Sequence, residues 1–176
     1  MKKILFTAIS LGIAVQAHAQ IGVNKSSVNG TSTILDFEDS PSNTKGLILP
    51  APDNLSAALS GTPSNNNGTF LFDKSDKKVK VYENNAWKAL SDEGNSSGIM
   101  NNTTAEHTST QGIIMGAPSS SAYGVLVLES ANKAMILPKI QTPHQTVKSP
   151  YPGMICYDTV SKTIAIFDGA VWNYWK

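Results

Sequence analysis

The chain has 176 residues, 40% of them apolar and only 15% charged, with 14 basic and 13 acidic groups. Every basic residue is lysine, and Ser, Thr and Asn together fill 48 positions (20, 14 and 14). This profile argues against a nucleic-acid binder, which needs a basic stripe to displace counterions from phosphates. The lack of arginine also removes the preferred bidentate clamp for phosphate and carboxylate groups. What remains is a polar, turn-rich chain with a near-neutral surface.

The first 19 residues read as an export signal. Lys2 and Lys3 form a positive start, Ile4 to Val15 is an apolar run, and Ala17-His18-Ala19 supplies the small-x-small pattern cut by signal peptidase. A dozen apolar residues fall short of the roughly 20 needed to span a bilayer. The cut is expected after Ala19, leaving Gln20 at the new N-terminus and a mature chain of 157 residues with no membrane span. Nor does the sequence carry the long alternating strands of an outer-membrane barrel. Cys156 is the only cysteine, so an exported chain cannot close an internal disulfide. A free thiol can bridge two chains or act as a nucleophile, but its neighbours Ile155 and Tyr157 favour a small buried apolar residue.

Downstream, one module occurs twice. Gly68-Thr69-Phe70-Leu71-Phe72-Asp73 aligns with Gly153-Met154-Ile155-Cys156-Tyr157-Asp158, and the match runs without a gap to Trp87 and Trp172. Only Gly, Asp, Lys and Trp are identical in these 20 positions, but most other pairs keep their character. Upstream, Thr44-Lys45-Gly46-Leu47-Ile48-Leu49-Pro50 matches Asn132-Lys133-Ala134-Met135-Ile136-Leu137-Pro138. Before that, Ile34-Leu35-Asp36 matches Val127-Leu128-Glu129.

Phe70, Phe72, Val79 and Val81 alternate with polar or smaller residues, the period-two pattern of a half-buried strand. Asp73 to Lys77 and Asp158 to Lys162 read as polar turns. Glu83-Asn84-Asn85-Ala86 and Asp168-Gly169-Ala170 have the tight-turn chemistry of hairpins, since Asn and Gly tolerate positive φ. Each copy is therefore expected to be a three-stranded meander closing on a tryptophan. In the first copy Asp53 can cap a two-turn helix that places Leu55, Ala58 and Leu59 on one face. The corresponding stretch Pro143 to Lys148 makes a weaker helix. The fold expected is mainly β: a signal peptide over 1–19, a first β-module over 20–90, a polar linker over 91–111 and a second β-module over 112–176.

These anchors resemble a segment found in exported surface proteins of Bacteroidetes and in some phage tail-fibre-like proteins. That segment reads roughly "LD…TKGxLxPRM…GLxIYNTxTxKLxxYxGxxW". Leu35-Asp36, Thr44 to Pro50 and Gly68 to Trp87 carry the resemblance in the first copy. Leu128-Glu129, Lys133 to Pro138 and Gly153 to Trp172 carry it in the second, and Ile21-Gly22-Val23-Asn24 is similar to the usual opening "IGIN". The arginine that follows the proline in those proteins is Ala51 in one copy and Lys139 in the other. The resemblance implies a surface-exposed, β-rich structural or adhesive element that self-associates, and it implies no catalytic residue.

Searches for chemistry return little. The chain has no phosphate-cradling glycine loop, no HExxH, no CxxC and no GxSxG. His107 in the linker and His144 beside Pro143 are expected on the surface, and no zinc set can be assembled from them. Asp36, Glu38 and Asp39, and Asp73 with Asp76, lack the spacing of a calcium loop and read as strand-end and turn residues. No pair of carboxylates is singled out for glycoside cleavage. Trp87 and Trp172 are expected to close the module cores, whereas Tyr174 and Trp175 at the chain end are candidates for glycan or partner contact. Asp158-Thr159-Val160 fits a three-residue O-glycosylation pattern, making Thr159 a candidate acceptor.

The sequence thus leads to an exported protein (secreted, on the cell surface or in the periplasm) with a structural or adhesive, fibre-like role, no catalytic site and no cofactor. The alternative is a carbohydrate-binding module of the same export class. Expected partners are other copies of the chain, since a module of about 55 residues is small for an independent core, together with other surface proteins or glycans.

Overall fold

The computed structural model describes residues 20–59, 61–100 and 112–176. The export segment and His107 lie outside the described residues. Ile21–Val23 (β1) runs parallel to Thr33–Phe37 (β2), and Leu47–Ile48 (β3) follows. A 3₁₀ turn at Leu55–Ala58 leads into the first meander: Phe70–Asp73 (β4), Lys78–Glu83 (β5) and Ala86–Ala89 (β6). The second half repeats this order. Ile113–Met115 (β7) pairs in parallel with Leu126–Leu128 (β8), followed by Ala134–Met135 (β9) and Lys139–Ile140 (β10). One helical turn, Pro143–Thr146 (α1), precedes the second meander of Met154–Asp158 (β11), Thr163–Phe167 (β12) and Trp172–Trp175 (β13). The chain is mainly β.

The two meanders share several corner bonds. Gly68 N–H donates to Tyr82 C=O at 2.8 Å, and Gly153 N–H to Phe167 C=O at 2.8 Å. Both glycines have positive φ, +93° and +83°, a conformation that L side chains rarely adopt. Asp73 accepts from Ser75 N–H and Asp158 from Val160 N–H, each at 2.9 Å, while Lys77 and Lys162 both adopt left-handed backbone to finish the turn. The second corners carry the expected positive φ at Asn84, Asn85 and Gly169. Phe72 N–H donates to Pro50 C=O and Tyr157 N–H to Pro138 C=O, both at 2.9 Å.

Three sequence expectations change. The first-copy helix is a single 3₁₀ turn capped by Asn54, whose side chain accepts from Ser56 N–H, while Asp53 instead pairs with Lys74. Trp87 and Trp172 are half-buried rather than central. Each packs against the aromatic residue opposite it across its hairpin, Tyr82 at 5.1 Å and Phe167 at 5.4 Å between ring centroids. The upstream alignment shifts by two residues, because Val23 lies opposite Phe37 whereas Met115 lies opposite Leu128. Phe37 therefore corresponds to Leu128, and the left-handed Asn24 to the left-handed Gly116.

Residues 91–100, part of the stretch read as a linker, are held against both meanders. Gly94 N–H donates to Lys77 C=O and Asn95 N–H to Asp168 C=O, both at 2.9 Å, and Met100 N–H donates to Tyr151 Oη at 2.8 Å. Leu90 and Ile99 pack on a core made by residues of both halves: Leu49, Phe72, Val79, Ile155 and Ile166. A second, smaller core holds Ile140, Cys156 and Ala165 under Val147 and Trp172. Cys156 is fully buried there, and burial together with the Asp158 charge pushes its thiol up to about 12. A thiolate is the reactive form, so this cysteine is inert while the fold is intact. A thiol reagent such as DTNB is expected to label no cysteine in native protein at pH 8 and one per chain in guanidinium; rapid native labelling would contradict the buried placement.

Candidate self-association surface

The two halves are not side by side but interleaved. β3 of the first half pairs antiparallel with β11 of the second, setting Leu47 opposite Ile155 and Ile48 opposite Met154. Leu49 N–H extends this pairing with a 3.0 Å bond to Gly153 C=O. In return β9 of the second half adds in parallel to β2 of the first, with Ala134 N–H donating to Ser32 C=O and Ile136 N–H to Leu35 C=O. Gly46 permits the first of these junctions. A Cβ there would lie 2.6 Å from Met154 Cγ and 3.0 Å from Ile155 carbonyl O.

Interleaving leaves several strand edges open among the described residues. β4 ends the sheet β4-β5-β6, β9 ends β1-β2-β9, β8 belongs to a two-stranded pair, and β3 touches only β11. Open edges expose unpaired backbone groups and invite another strand. Apolar side chains on these strands are exposed: Phe70 on β4, Leu126 on β8 and Met135 on β9. Met135, Ile136, Leu137, Lys139, Tyr157 and Ile164 line an open apolar trough of about 440 Å³. The sequence reading missed these residues. Their signal was present in the repeat, since Met135 to Leu137 copies Leu47 to Leu49, but only the pairing reveals that the outer backbone edge of β9 lacks the strand partner that β3 finds in β11.

The residues singled out from sequence fall elsewhere. Tyr174 and Trp175 lie within β13, not beyond the module, paired with Ala165 and Ile164. Tyr174 Oη is 2.7 Å from His144 Nδ1, and Trp175 donates its ring N–H to Leu90 C=O. Thr159 is half-buried in the β11–β12 turn, its N–H bonded to Ile140 C=O at 3.0 Å. No group of three or more metal-capable side chains occurs among the described residues.

The carboxylates hold turns and corners. Asp36 accepts from Lys25 at 2.7 Å and from Asn29 N–H at 2.9 Å. Asp73 accepts from Ser75 and from Lys80, which also pairs with Asp76. Asp158 collects Thr142 N–H, Val160 N–H and the Ser161 hydroxyl. Burial by itself would raise these carboxyls, but the ammonium groups and donors around them outweigh it and hold all three below the ordinary 3.8. Because the folded values lie below the unfolded ones, this stabilisation is complete above the unfolded pKa and is lost as pH falls through the folded values. Urea midpoints are expected to be insensitive to these groups down to about pH 5 and to fall below about pH 4. Asp158→Asn should lower the neutral-pH midpoint and flatten that acid limb; an unchanged limb would remove Asp158 from the account.

Residues 112–176, the second half from just before β7 to the chain end, match the family model described as a phage tail-like trimerisation region. No curated protein and no solved structure matches the chain. The half of the chain that bears the open trough and the bare β9 edge is thus similar to a region defined by association of three chains.

Proposed function

We propose that this chain is an exported, non-enzymatic, fibre-like structural or adhesive protein that acts as a trimer. The observation that carries the reading is the match of residues 112–176 to a tail-like trimerisation region. Strand edges and apolar side chains left open in the single chain support it, since surfaces of that kind are normally covered by association. The export signal over residues 1–19 supports a site of action outside the cytoplasm.

Expressed with its export segment, the full chain is expected to begin at Gln20, to be recovered outside the cytoplasm, and to give the mass of three chains by size exclusion with light scattering. A stable monomer would overturn the trimer, and an unprocessed cytoplasmic product would overturn export.

A further inference from the structure

The repeat and the interleaving together define a junction that each chain makes once and leaves half-prepared a second time. Within the chain, the extended segment of the first half, Leu47 to Leu49, completes the second meander at Gly153–Ile155, then crosses at Pro50 to its own meander, bonding Phe72. The equivalent segment of the second half, Met135 to Leu137, likewise crosses at Pro138 to bond Tyr157 of its own meander. Its Ala134 and Ile136 N–H groups are bonded to β2. Along an extended chain the intervening N–H groups, those of Met135 and Leu137, face the opposite side, which is the bare outer edge of β9. In the first half the corresponding groups, of Leu47 and Leu49, are the ones facing β11 and Gly153.

The packing repeats the same asymmetry. Leu49, Phe72 and Val79, with Leu47 against them, are covered by Ile155 and Ile166 of the second meander. Their counterparts Leu137, Tyr157, Ile164 and Met135 line the open trough, so Val79 is 0% exposed and Ile164 38%. The counterparts of the covering residues are Phe70 and Val81 on the first meander. Ile155 is 5% exposed but Phe70, on β4 at the end of its sheet, is 39%, whereas Val81 is buried at 8% as Ile166 is at 1%. The trough lacks an apolar cover such as Phe70, and the β4 edge at Phe70 lacks a strand like Met135 to Leu137. In the single chain they do not meet: β9 lies on β2, and no described strand pairs with its outer edge.

We infer that a second copy of this chain fills the trough, its β4 edge taking Met135–Leu137 as an added antiparallel strand. This rests on the proposed trimer and specifies how it is built. Met135 pairs with Phe70 of the second copy, Ile136 with its Thr69, and the Leu137 N–H donates to its Gly68 C=O, reproducing Leu47–Ile155, Ile48–Met154 and Leu49–Gly153. The reciprocal half of the junction follows: β3 of the second copy adds in parallel to the free edge of β8, as β9 adds to β2. Where Gly46 faces Met154 within the chain, the new contact sets Ala134 against the shorter Thr69. Each junction is head-to-tail, and head-to-tail contacts either close into rings or run on as filaments. With three chains the ring holds six modules, joined by three junctions within chains and three between them.

A cysteine pair at Thr69 and Ile136 tests the register. In an antiparallel pair without mutual hydrogen bonds the Cα atoms lie about 4.5 Å apart, within disulfide range. Ile48→Cys with Met154→Cys is the matched control inside the chain. In the full protein carrying Thr69→Cys and Ile136→Cys, mild oxidation is expected to yield covalently joined dimers and trimers on a non-reducing gel, ending at three chains. Either single substitution alone should give none, and the control pair should link only within the chain. A trimer by light scattering that gives no link at 69–136, or a link within one chain, overturns the strand exchange while leaving the trimer standing. A ladder beyond three chains overturns the closed ring, and a monomer by light scattering overturns both readings.

Discussion

Five residues, Gly46 to Pro50, join the two halves of this protein. Leu47 and Leu49 extend the edge of β11 in the second meander, and then the Pro50 carbonyl accepts from Phe72 of the first. One short extended run therefore belongs to two sheets, and the core gathers around the crossing point: Leu49, Phe72 and Val79 from one side, Ile155 and Ile166 from the other. Proline suits the crossing because it has no N–H to leave unpaired where the strand changes sheets. Glycine at the start of the run admits the close approach to Met154 and Ile155. Neither meander is large enough to bury an apolar face alone, so each borrows a strand and a face from its neighbour.

Such an arrangement has a direction. A module that gives its strand forward and receives one from behind makes a head-to-tail contact, and two modules in one chain satisfy only one such contact. Backbone groups on the open edges and apolar side chains at the trough stay in water, which costs burial rather than hydrogen bonds while the chain is single. Several of the few charges are paired with one another, as at Asp36 with Lys25 and Asp73 with Lys80.

Much of the local structure was legible in the residues. Alternation in Phe70–Val81 marked the strands, and Asn84-Asn85 and Gly169 marked the hairpin corners where φ is positive. Cys156 could be placed in a core because it stands in the repeat where Leu71 does. Errors came where sequence similarity and hydrogen-bond register diverge. Leu35-Asp36 looks like Leu128-Glu129, yet pairing with β1 and β7 equates Phe37 with Leu128. A two-residue slip keeps the same faces of a strand, so composition cannot detect it. Polar residues 91–100 looked like a spacer, but their backbone groups bond both meanders, and polarity alone does not distinguish a free loop from one tied down by its main chain.

By itself, the sequence determined a duplicated β-meander, its turns and the equivalence of Cys156 with Leu71 in the repeat. These depend on neighbours in the chain: alternation, residues that accept positive φ, and side-chain size at repeated positions. Which meander each copied strand completes was decided only by the tertiary structure, because Leu47 to Leu49 and Met135 to Leu137 are nearly the same in local terms. Backbone edges carry no residue label, so covalent order and packing alone determined that the first strand would be covered and the second left open.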